Sequence, residues 1–493
     1  MSNKTKRYAS LGVKCIMKLN TLLERIEKNA NDPIHNLDID GISTNSSEVR
    51  PNDLFVAIKG YRVDGHDFIQ KAIEAGAQII IGEKDLPKLS VPYIKVENSR
   101  RALAEIACEF YGNPSRNKKM IGITGTNGKT TTSYMLKHIL ESAGKSCSLF
   151  GTVKNVVNGQ SLSSTNTTPD ALELNKRLAL SDDEYIIMEV SSHGLSQYRV
   201  HGVEFDFCLF TNLDQDHLDY HRDMEEYFSV KAGLFDQMKP DGKAVINHYN
   251  SWGQKLAEQL KAKNCTIHVM GDQSHHDLRI DQLKSGNSTI IFDHNANLNL
   301  NINILGKHNI LNAAMAFLTA SKMGLPTEEI LEALELFPGV PGRFEMFQHP
   351  KGATVVVDYA HTADAFNHCL QTAKEEGANR IFHIFGFRGN RDVTKRGGMV
   401  NVSKEISDVH ILTFDDLNDV TYEEMEEALR VLNEGGYIIP DRTLAIKQAV
   451  EHAQPGDWIC ITGKGAEEYQ QKFELPTSSD IETVHFLFKQ MEM

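Results

Sequence analysis

The chain has 493 residues and a formal net charge of −14, from 52 basic and 66 acidic residues. That length exceeds one hydrophobic core and implies about three domains, while the acidic balance argues against a nucleic-acid or anionic-membrane surface. Hydrophobic residues at 41% and charged residues at 24% are ordinary for a soluble globular protein, and no apolar run approaches the roughly 18 residues of a spanning helix.

Residues 1–16 carry Lys4, Lys6, Arg7 and Lys14 without the apolar centre of a signal peptide. Met17 offers an alternative start, which would make them an extension. Residues 53–58 read as a strand, and 68–75 as a helix leading into the apolar run 77–81. Tyr111-Gly112-Asn113-Pro114-Ser115 is rich in turn residues and marks a first boundary. Met120 and Ile121 then lead into Gly122-Ile123-Thr124-Gly125-Thr126-Asn127-Gly128-Lys129-Thr130, followed by a helical segment, 131–142. The short continuous apolar runs 186–190 and 206–210 are strands of the kind buried in a mainly parallel sheet. Residues 249–300 show no clear period, and Asp272-Gln273-Ser274-His275-His276 reads as surface loop. Phe337-Pro338-Gly339-Val340-Pro341-Gly342 is a dense turn signal and a second boundary. Beyond it, strands at 353–357, 380–385, 409–414 and 458–462 alternate with helical stretches, the pattern of a doubly wound domain. The expected fold is α/β in three domains: mixed α/β over 1–115, a P-loop-type ATPase domain with a mainly parallel sheet over 116–338, and a Rossmann-like domain over 339–493. Seven scattered cysteines without a Cys-x-x-Cys pair suit a reduced, cytoplasmic protein without structural zinc.

A strand, a Gly-rich turn and a helix start make a phosphate cradle, because backbone N–H groups approach the anion and the helix dipole favours it. Lys129 can reach the β/γ-phosphates and the Thr130 hydroxyl can hold Mg²⁺. The generic P-loop wants a glycine where Ile123 stands. Thr-Gly-Thr-Asn-Gly-Lys-Thr instead resembles the ATP loop of the Mur ligases and their folylpolyglutamate synthetase relatives. Glu189, in Glu189-Val190-Ser191-Ser192-His193-Gly194-Leu195, suits either a Mg²⁺ ligand or a solvated strand end. The run from Thr211 to His221 is dense in Asp and His, and reads as a polar loop capping a strand or as a metal-binding loop. Lys231, among apolar neighbours on a helical stretch, reads on its own as a lysine whose head stays in water.

Together the motifs extend the resemblance to the Mur ligases over roughly residues 17–490. Within that family the chain is most similar to the enzymes that add the third stem-peptide residue to UDP-N-acetylmuramoyl-L-alanyl-D-glutamate. Besides the ATP loop, the similarity rests on Asn166-Thr167-Thr168-Pro169, the Glu189 segment with Gln197 and Arg199, and Asn212 to His221. It rests also on Gly306-Lys307-His308-Asn309, Gly342-Arg343, Asp358-Tyr359-Ala360-His361-Thr362, Arg391-Asp392 with Lys395-Arg396, and Gly463-Lys464-Gly465. The resemblance implies an ATP site of Gly125, Thr126, Asn127, Gly128, Lys129, Thr130, Thr131, Asn309, Arg343, Asp358 and His361. It implies that Asn166, Thr167, Thr168, Ser191, Gln197 and Arg199 bind the UDP-muramoyl-dipeptide, with Thr44, Ser46 and the turn 61–63 on its uridine side. It implies a magnesium site of Thr130, Glu189, His217 and Lys231, the lysine carbamylated by CO₂, with Lys129, His217 and Lys231 central to catalysis. The implied reaction makes an acyl phosphate with ATP and resolves it with an amino acid, in the cytoplasm, on a monomer, in cell-wall precursor synthesis.

Two stretches depart from the family. The amino-acid pocket implied by the resemblance comprises Arg391, Asp415, Asp416, Asn418, Gly463 and Glu467. Where diaminopimelate enzymes carry Asp-Asn-Pro-Arg, this chain has Asp415-Asp416-Leu417-Asn418. Without the arginine, and with a second acid, the stretch argues against diaminopimelate and suits lysine or ornithine. Near the uridine side, Asn45-Ser46-Ser47 replaces Asp-Ser-Arg, a lost ion pair or a changed acceptor. The alternatives are a related ligase with another carboxylate acceptor, such as a folate-type polyglutamylating enzyme or a natural-product amide synthase, and a non-catalytic nucleotide-binding paralogue.

Overall fold

Runs of Val, Ile and Phe set the frame of the protein. The computed structural model describes residues 16–23, 36–60, 63–164, 166–280, 286–293 and 296–492. Most of the extension 1–16, and Tyr61 and Arg62 of the expected uridine-side turn, lie outside the described residues. The chain packs as two units interleaved in sequence: Met1–Gly122, Ser146–Cys208 and Gly233–Gly242 form the first, and Ile123–Lys145, Leu209–Ala232 and Lys243–Met493 the second.

The first unit opens with a parallel sheet, β1 (Gly41–Ser43), β2 (Asp53–Val56), β3 (Ala77–Gly82) and β4 (Tyr93–Lys95), in that order. Leu54, Val56, Ile79 and Ile81 bury one face against the helix Ser99–Phe110, which Asn98 caps by accepting from the Arg101 N–H. The larger sheet begins with β5 (Lys119–Thr124), β6 (Cys147–Phe150), β7 (Asn155–Val157), β8 (Gln160–Leu162), β9 (Tyr185–Glu189) and β10 (Phe205–Phe210), in the order β8-β7-β6-β9-β5-β10. β5, β6, β9 and β10 are almost wholly buried, as continuous apolar runs require. Cys208 lies in this core, fully buried.

β11 (Met238–Asn247), which belongs to the second unit from Lys243 on, β12 (Thr266–Gly271) and β13 (Leu278–Ile280) pair in parallel. An antiparallel hairpin, β14 (Ser288–Asp293) and β15 (Ala296–Asn301), follows. The described part of the 249–300 stretch, which has no clear period in sequence, holds a helix, Ser251–Ala262, and four strands. The polar run 272–276 is an exposed turn, except for His276, which is buried. The helix Lys129–Ser142 packs on Lys307–Lys322 and Thr327–Glu335.

The last sheet holds β16 (Glu345–Gln348), β17 (Thr354–Asp358), β18 (Ile381–Phe387), β19 (Val409–Phe414), β20 (Tyr437–Ile438) and β21 (Trp458–Thr462), in the order β16-β17-β21-β18-β19-β20. All neighbours are parallel except the edge strand β16. Alternate residues serve opposite faces: Val355, Val357, Ile459 and Ile461 pack under Ala445, Ile446 and Val484, whereas Val356 and Cys460 meet Cys369 and Leu370. Helices start on side-chain caps at Thr362, Thr421 and Asp441, which direct the strand-to-helix turns at one end of the sheet. The six described cysteines are free.

Candidate functional site

The phosphate loop lies between β5 and the helix Lys129–Ser142. Gly125 has φ +147° and Gly128 φ +84°; a Cβ on the first would stand 1.9 Å from Thr211 Oγ1, and on the second 2.3 Å from Asn312 Oδ1. Only glycine fits such positions. Asn212 holds the loop from below: its carbonyl accepts from the Thr126 N–H at 3.0 Å and its Oδ1 from the Asn127 N–H at 2.9 Å. Thr130 and Thr131 lie buried in the first turn of the helix. Lys129 donates to the carbonyls of Gly125 and Thr126 at 2.9 and 2.8 Å, so its amine lies over the loop it is expected to serve.

Lys231 does not snorkel. It ends the helix Met224–Ala232, is 1% exposed, and donates to the Gly125 carbonyl at 2.9 Å while lying 4.7 Å from the Tyr227 ring centre. Burial, reinforced by the Lys129 charge and opposed by Asp216, holds its pKa well below the ordinary lysine value. The Asp/His loop after β10 folds around the same place. Buried Asp216 accepts from Lys395 Nζ at 2.8 Å and faces His217 Nε2 at 3.4 Å and His361 Nε2 at 3.5 Å. Burial alone would raise this carboxyl; the His361 hydrogen bond and the charges of His217, His361 and Lys395 hold it well below the carboxylate range. Asp214 behaves oppositely, pushed up to about 7 by burial and by the Asp364 carboxylate. Among the described residues no group of three His, Cys, Asp or Glu side chains is arranged to hold a metal ion.

Of the other expected ATP-site residues, Arg343 reaches the same loop. Arg343 donates to Thr130 Oγ1 at 3.1 Å and stacks 4.2 Å over the Tyr359 ring. Asp358 accepts from the Phe344 and Ala360 N–H groups at 2.6 and 2.7 Å, with its carboxyl raised by burial. His361 bonds the Tyr359 carbonyl through Nδ1 at 2.9 Å. Asn309 is buried in the helix Lys307–Lys322, donating to the Leu305 carbonyl at 2.8 Å.

The expected dipeptide residues meet in the first unit. Thr168 Oγ1 donates to the Glu189 carbonyl at 2.9 Å and accepts from the Ser191 N–H at 3.0 Å. Arg199 bonds the Thr168 carbonyl at 2.7 Å and Gln197 Oε1 at 2.9 Å. Ser191 caps the short helix Ser192–Ser196. Glu189 is fully buried, not a solvated strand end; its two oxygens accept from the Thr152 N–H at 3.1 Å and Thr152 Oγ1 at 2.8 Å. The same Thr152 hydroxyl lies 3.2 Å from Thr167 Oγ1. Thr152 went unread in the sequence, though a threonine just past the end of β6 is the signal that finds it. Asn166 is exposed, its carbonyl bonded by Ser164. Thr44 is exposed and Ser46 buried in the turn after β1, where Asn45 bonds Glu48 Oε1 at 3.1 Å and accepts from the Ser47 N–H at 3.1 Å. Local bonds thus replace the ion pair that Asn45-Ser46-Ser47 cannot make.

The expected amino-acid residues gather at the carboxyl ends of β18, β19 and β21. Asp416 does not leave free negative charge: Lys464, 1% exposed, lies 2.8 Å from its Oδ1 and 3.3 Å from Asp415 Oδ1. Burial would raise the Asp415 carboxyl, but Arg388 and Lys464 lower it. Asn418 Nδ2 donates to the Gly389 carbonyl at 3.2 Å, joining its loop to the one that carries Arg391, itself exposed. Gly463 adopts φ +110°, its N–H on the Asp358 carbonyl at 3.1 Å. Glu467 pairs with Arg388, which also lies 3.6 Å from Asp415. Arg388 is the second residue the sequence reading missed.

Three family models match the chain: Mur ligase family, catalytic domain, over residues 38–111; Mur ligase middle domain over 123–320; and Mur ligase, glutamate ligase domain, over 342–465. A Clostridium botulinum protein named UDP-N-acetylmuramoyl-L-alanyl-D-glutamate--2,6-diaminopimelate ligase is 40% identical over 470 residues, covering 92% of this chain and 95% of its own. Its namesake from Aquifex aeolicus is 39% identical, covering 88% and 90%. A solved structure of a ligase with the same name superposes with TM-score 0.68 at 25% identity, over 97% of this chain and all of that one. A MurF ligase from Thermotoga maritima in complex with ADP gives TM-score 0.62 at 21% identity, over 91% and 97%. With three family models matched in order and relatives of this identity matched along nearly their whole length, the chain belongs to the Mur ligase family.

Proposed function

We propose that this protein is an ATP-dependent ligase joining an amino acid to UDP-N-acetylmuramoyl-L-alanyl-D-glutamate, in the cytoplasmic synthesis of peptidoglycan precursors. The observation that carries the reading is the buried Lys231 amine on the Gly125 carbonyl of a Lys129-bearing phosphate loop. A plain nucleotide binder has no use for a desolvated second lysine there. The names of the relatives support the acceptor. No helix among the described residues is long and apolar enough to cross a membrane.

In this reading the loop N–H groups and helix start bind the ATP phosphates, and Lys129 exchanges its loop carbonyls for phosphate oxygens. The γ-phosphoryl passes to the free D-glutamate carboxylate, the amine of the incoming amino acid attacks the acyl phosphate, and phosphate leaves. Positioning and charge neutralisation carry such a transfer, so no protein nucleophile is needed. The donors fit magnesium: Thr130 offers a hydroxyl beside the phosphates, and a neutral Lys231 amine is the form that takes up CO₂ to become an oxygen ligand. The resemblance adds Glu189 and His217 to these. When bound, the ion neutralises charge on the phosphates.

The test incubates the purified protein with ATP, Mg²⁺, bicarbonate, the UDP-muramoyl-dipeptide and a pool of amino acids, and reads products by mass. A UDP-muramoyl-tripeptide is expected. ATP bound with no tripeptide formed would overturn the proposed acceptor.

A further inference from the structure

Tyr359, Arg388, Asp415 and Lys464 follow the carboxyl ends of four parallel strands, the edge where ligands of such sheets bind. The charges there are layered. Lys464, Asp415 and Asp416 have side chains 1%, 3% and 5% exposed and satisfy one another, so the inner layer has nothing left for a ligand. The outer layer is the Arg388–Glu467 pair, 24% and 38% exposed. Arg388 is held in place from behind by Asp415 at 3.6 Å and by the Tyr359 ring at 5.6 Å. The next residue, Gly389, bonds the Asp416 carbonyl at 2.9 Å, and a Cβ there would stand 1.7 Å from the carbonyl oxygen of the adjoining loop. The guanidinium is thus pre-positioned, and the side chain remains 24% exposed.

We propose that Arg388 is a specificity-determining residue, and that the Arg388–Glu467 pair reads the distal end of the incoming amino acid, taking an end that carries both a carboxylate and an ammonium. This rests on the ligase reading above. An ion pair open to solvent on both members is a template for the opposite pair. A distal ammonium alone draws Glu467 and leaves the outer edge of Arg388 without an anion; a distal carboxylate alone does the converse. A zwitterionic end inserts with both charges met, exchanging one charge-assisted pair for two. Arg388 thereby supplies the guanidinium that the Asp415–Asn418 stretch lacks, and 2,6-diaminopimelate, with an amino-acid centre at each end, matches the template.

Three amino acids isolate the two charges: meso-diaminopimelate, L-lysine, which lacks the distal carboxylate, and 2-aminopimelate, which lacks the distal ammonium. At saturating ATP and dipeptide, wild type should favour diaminopimelate over each by about 30-fold or more in kcat/KM, since a site left with an unpaired charge discriminates strongly. Arg388→Gln should abolish the preference over lysine, with the loss falling on KM for diaminopimelate. Arg388→Lys should restore part of it. Glu467→Gln should abolish the preference over 2-aminopimelate. Lysine used as well as diaminopimelate by wild type, or an equal loss with all three amino acids in Arg388→Gln, would overturn the proposal and leave the ligase reading standing. No tripeptide with any amino acid would overturn the ligase reading itself.

Discussion

Lys231 offers the sharpest test of the chemistry. A lysine in water is neutral in only about one molecule in a thousand at pH 7.4. Burial and the neighbouring Lys129 lower the Lys231 pKa well below that of a free lysine, so the neutral amine lies closer in free energy to the ammonium than it does in water. In the proposed chemistry the neutral amine adds CO₂ and releases a proton, which would turn a donor on Gly125 into a two-oxygen acceptor beside the phosphate loop. Lys231→Ala should therefore lower kcat by about 10²–10³-fold, the usual cost of losing one preorganised electrostatic group. Acetate or propionate, filling the space of the lost stem, should restore part of the rate. Lys231→Met gives the complementary reading. The folded-state pKa lies below the unfolded value, so the cost of burying the amine is greatest at neutral pH and vanishes as pH rises past about 10.4. In CO₂-depleted buffer the Met variant should be inactive yet more stable than wild type to urea at pH 7, with the gain gone near pH 10.5. The assays are steady-state rates with and without bicarbonate and short carboxylates, and urea melts at the two pH values. Full activity of Lys231→Ala without additive would refute the carbamate, and a Met variant less stable than wild type at pH 7 would refute the account of the buried amine.

Gly125→Ala should abolish ATP binding, measured by titration calorimetry, because its Cβ would stand 1.9 Å from Thr211 Oγ1 at φ +147°; unchanged affinity would mean the loop is not the phosphate site. Asp480→Asn should cost about 3–5 kcal/mol in urea unfolding, the price of leaving a buried charge half-paired. Arg442 and Asp480 are both wholly buried and joined by bonds of 2.6 and 2.7 Å. Asp214→Asn should stabilise the protein by a few kcal/mol at pH 8 and by almost nothing at pH 4. The Asp214 carboxyl titrates at about 7 in the fold, so its contribution is complete below the unfolded value near 4 and is lost as pH rises through 7; thermal melts across that range give the answer.

The parts of the site that the sequence makes legible are those whose partners are close along the chain. Gly125, Gly128 and Lys129 announce a phosphate loop because one turn holds all three. Lys231 read on its own suggests a solvated head, and only the family resemblance points inward, because its acceptor is 106 residues away and nothing local on the helix Met224–Ala232 reports that separation. Arg388 was passed over for the same reason, its Glu467 partner being 79 residues distant. The hairpin β14–β15 failed for a different cause. Ala-Asn-Leu-Asn-Leu-Asn alternates, burying one side only, whereas the strands read correctly were the continuous apolar runs of doubly covered sheets. The C-terminal strands 409–414 and 458–462 were placed to the residue because Val, Ile and Phe there leave no competing period.

In the proposed reaction a chain with a net charge of −14 would bind two highly anionic substrates, and the cations of the second unit offer a way to reconcile its acidity with that task. Four cations near the loop and at the sheet edge already have protein acceptors: Lys129 two carbonyls, Arg343 the Thr130 hydroxyl, Lys395 Asp216, and Arg388 Glu467. None has to be stripped of a full water shell when a phosphate or carboxylate arrives. Binding becomes an exchange of one partner for another in a site already low in water, where the gain depends on the difference between two pairings rather than on bulk attraction. Affinity for ATP should then fall only modestly with added salt, because the partners being exchanged are short-range and partly buried and lie inside a Debye length of ~8 Å. A steep salt dependence of the ATP dissociation constant would instead assign recruitment to the surface field of the protein, and the acidic composition would then oppose binding rather than merely surround it.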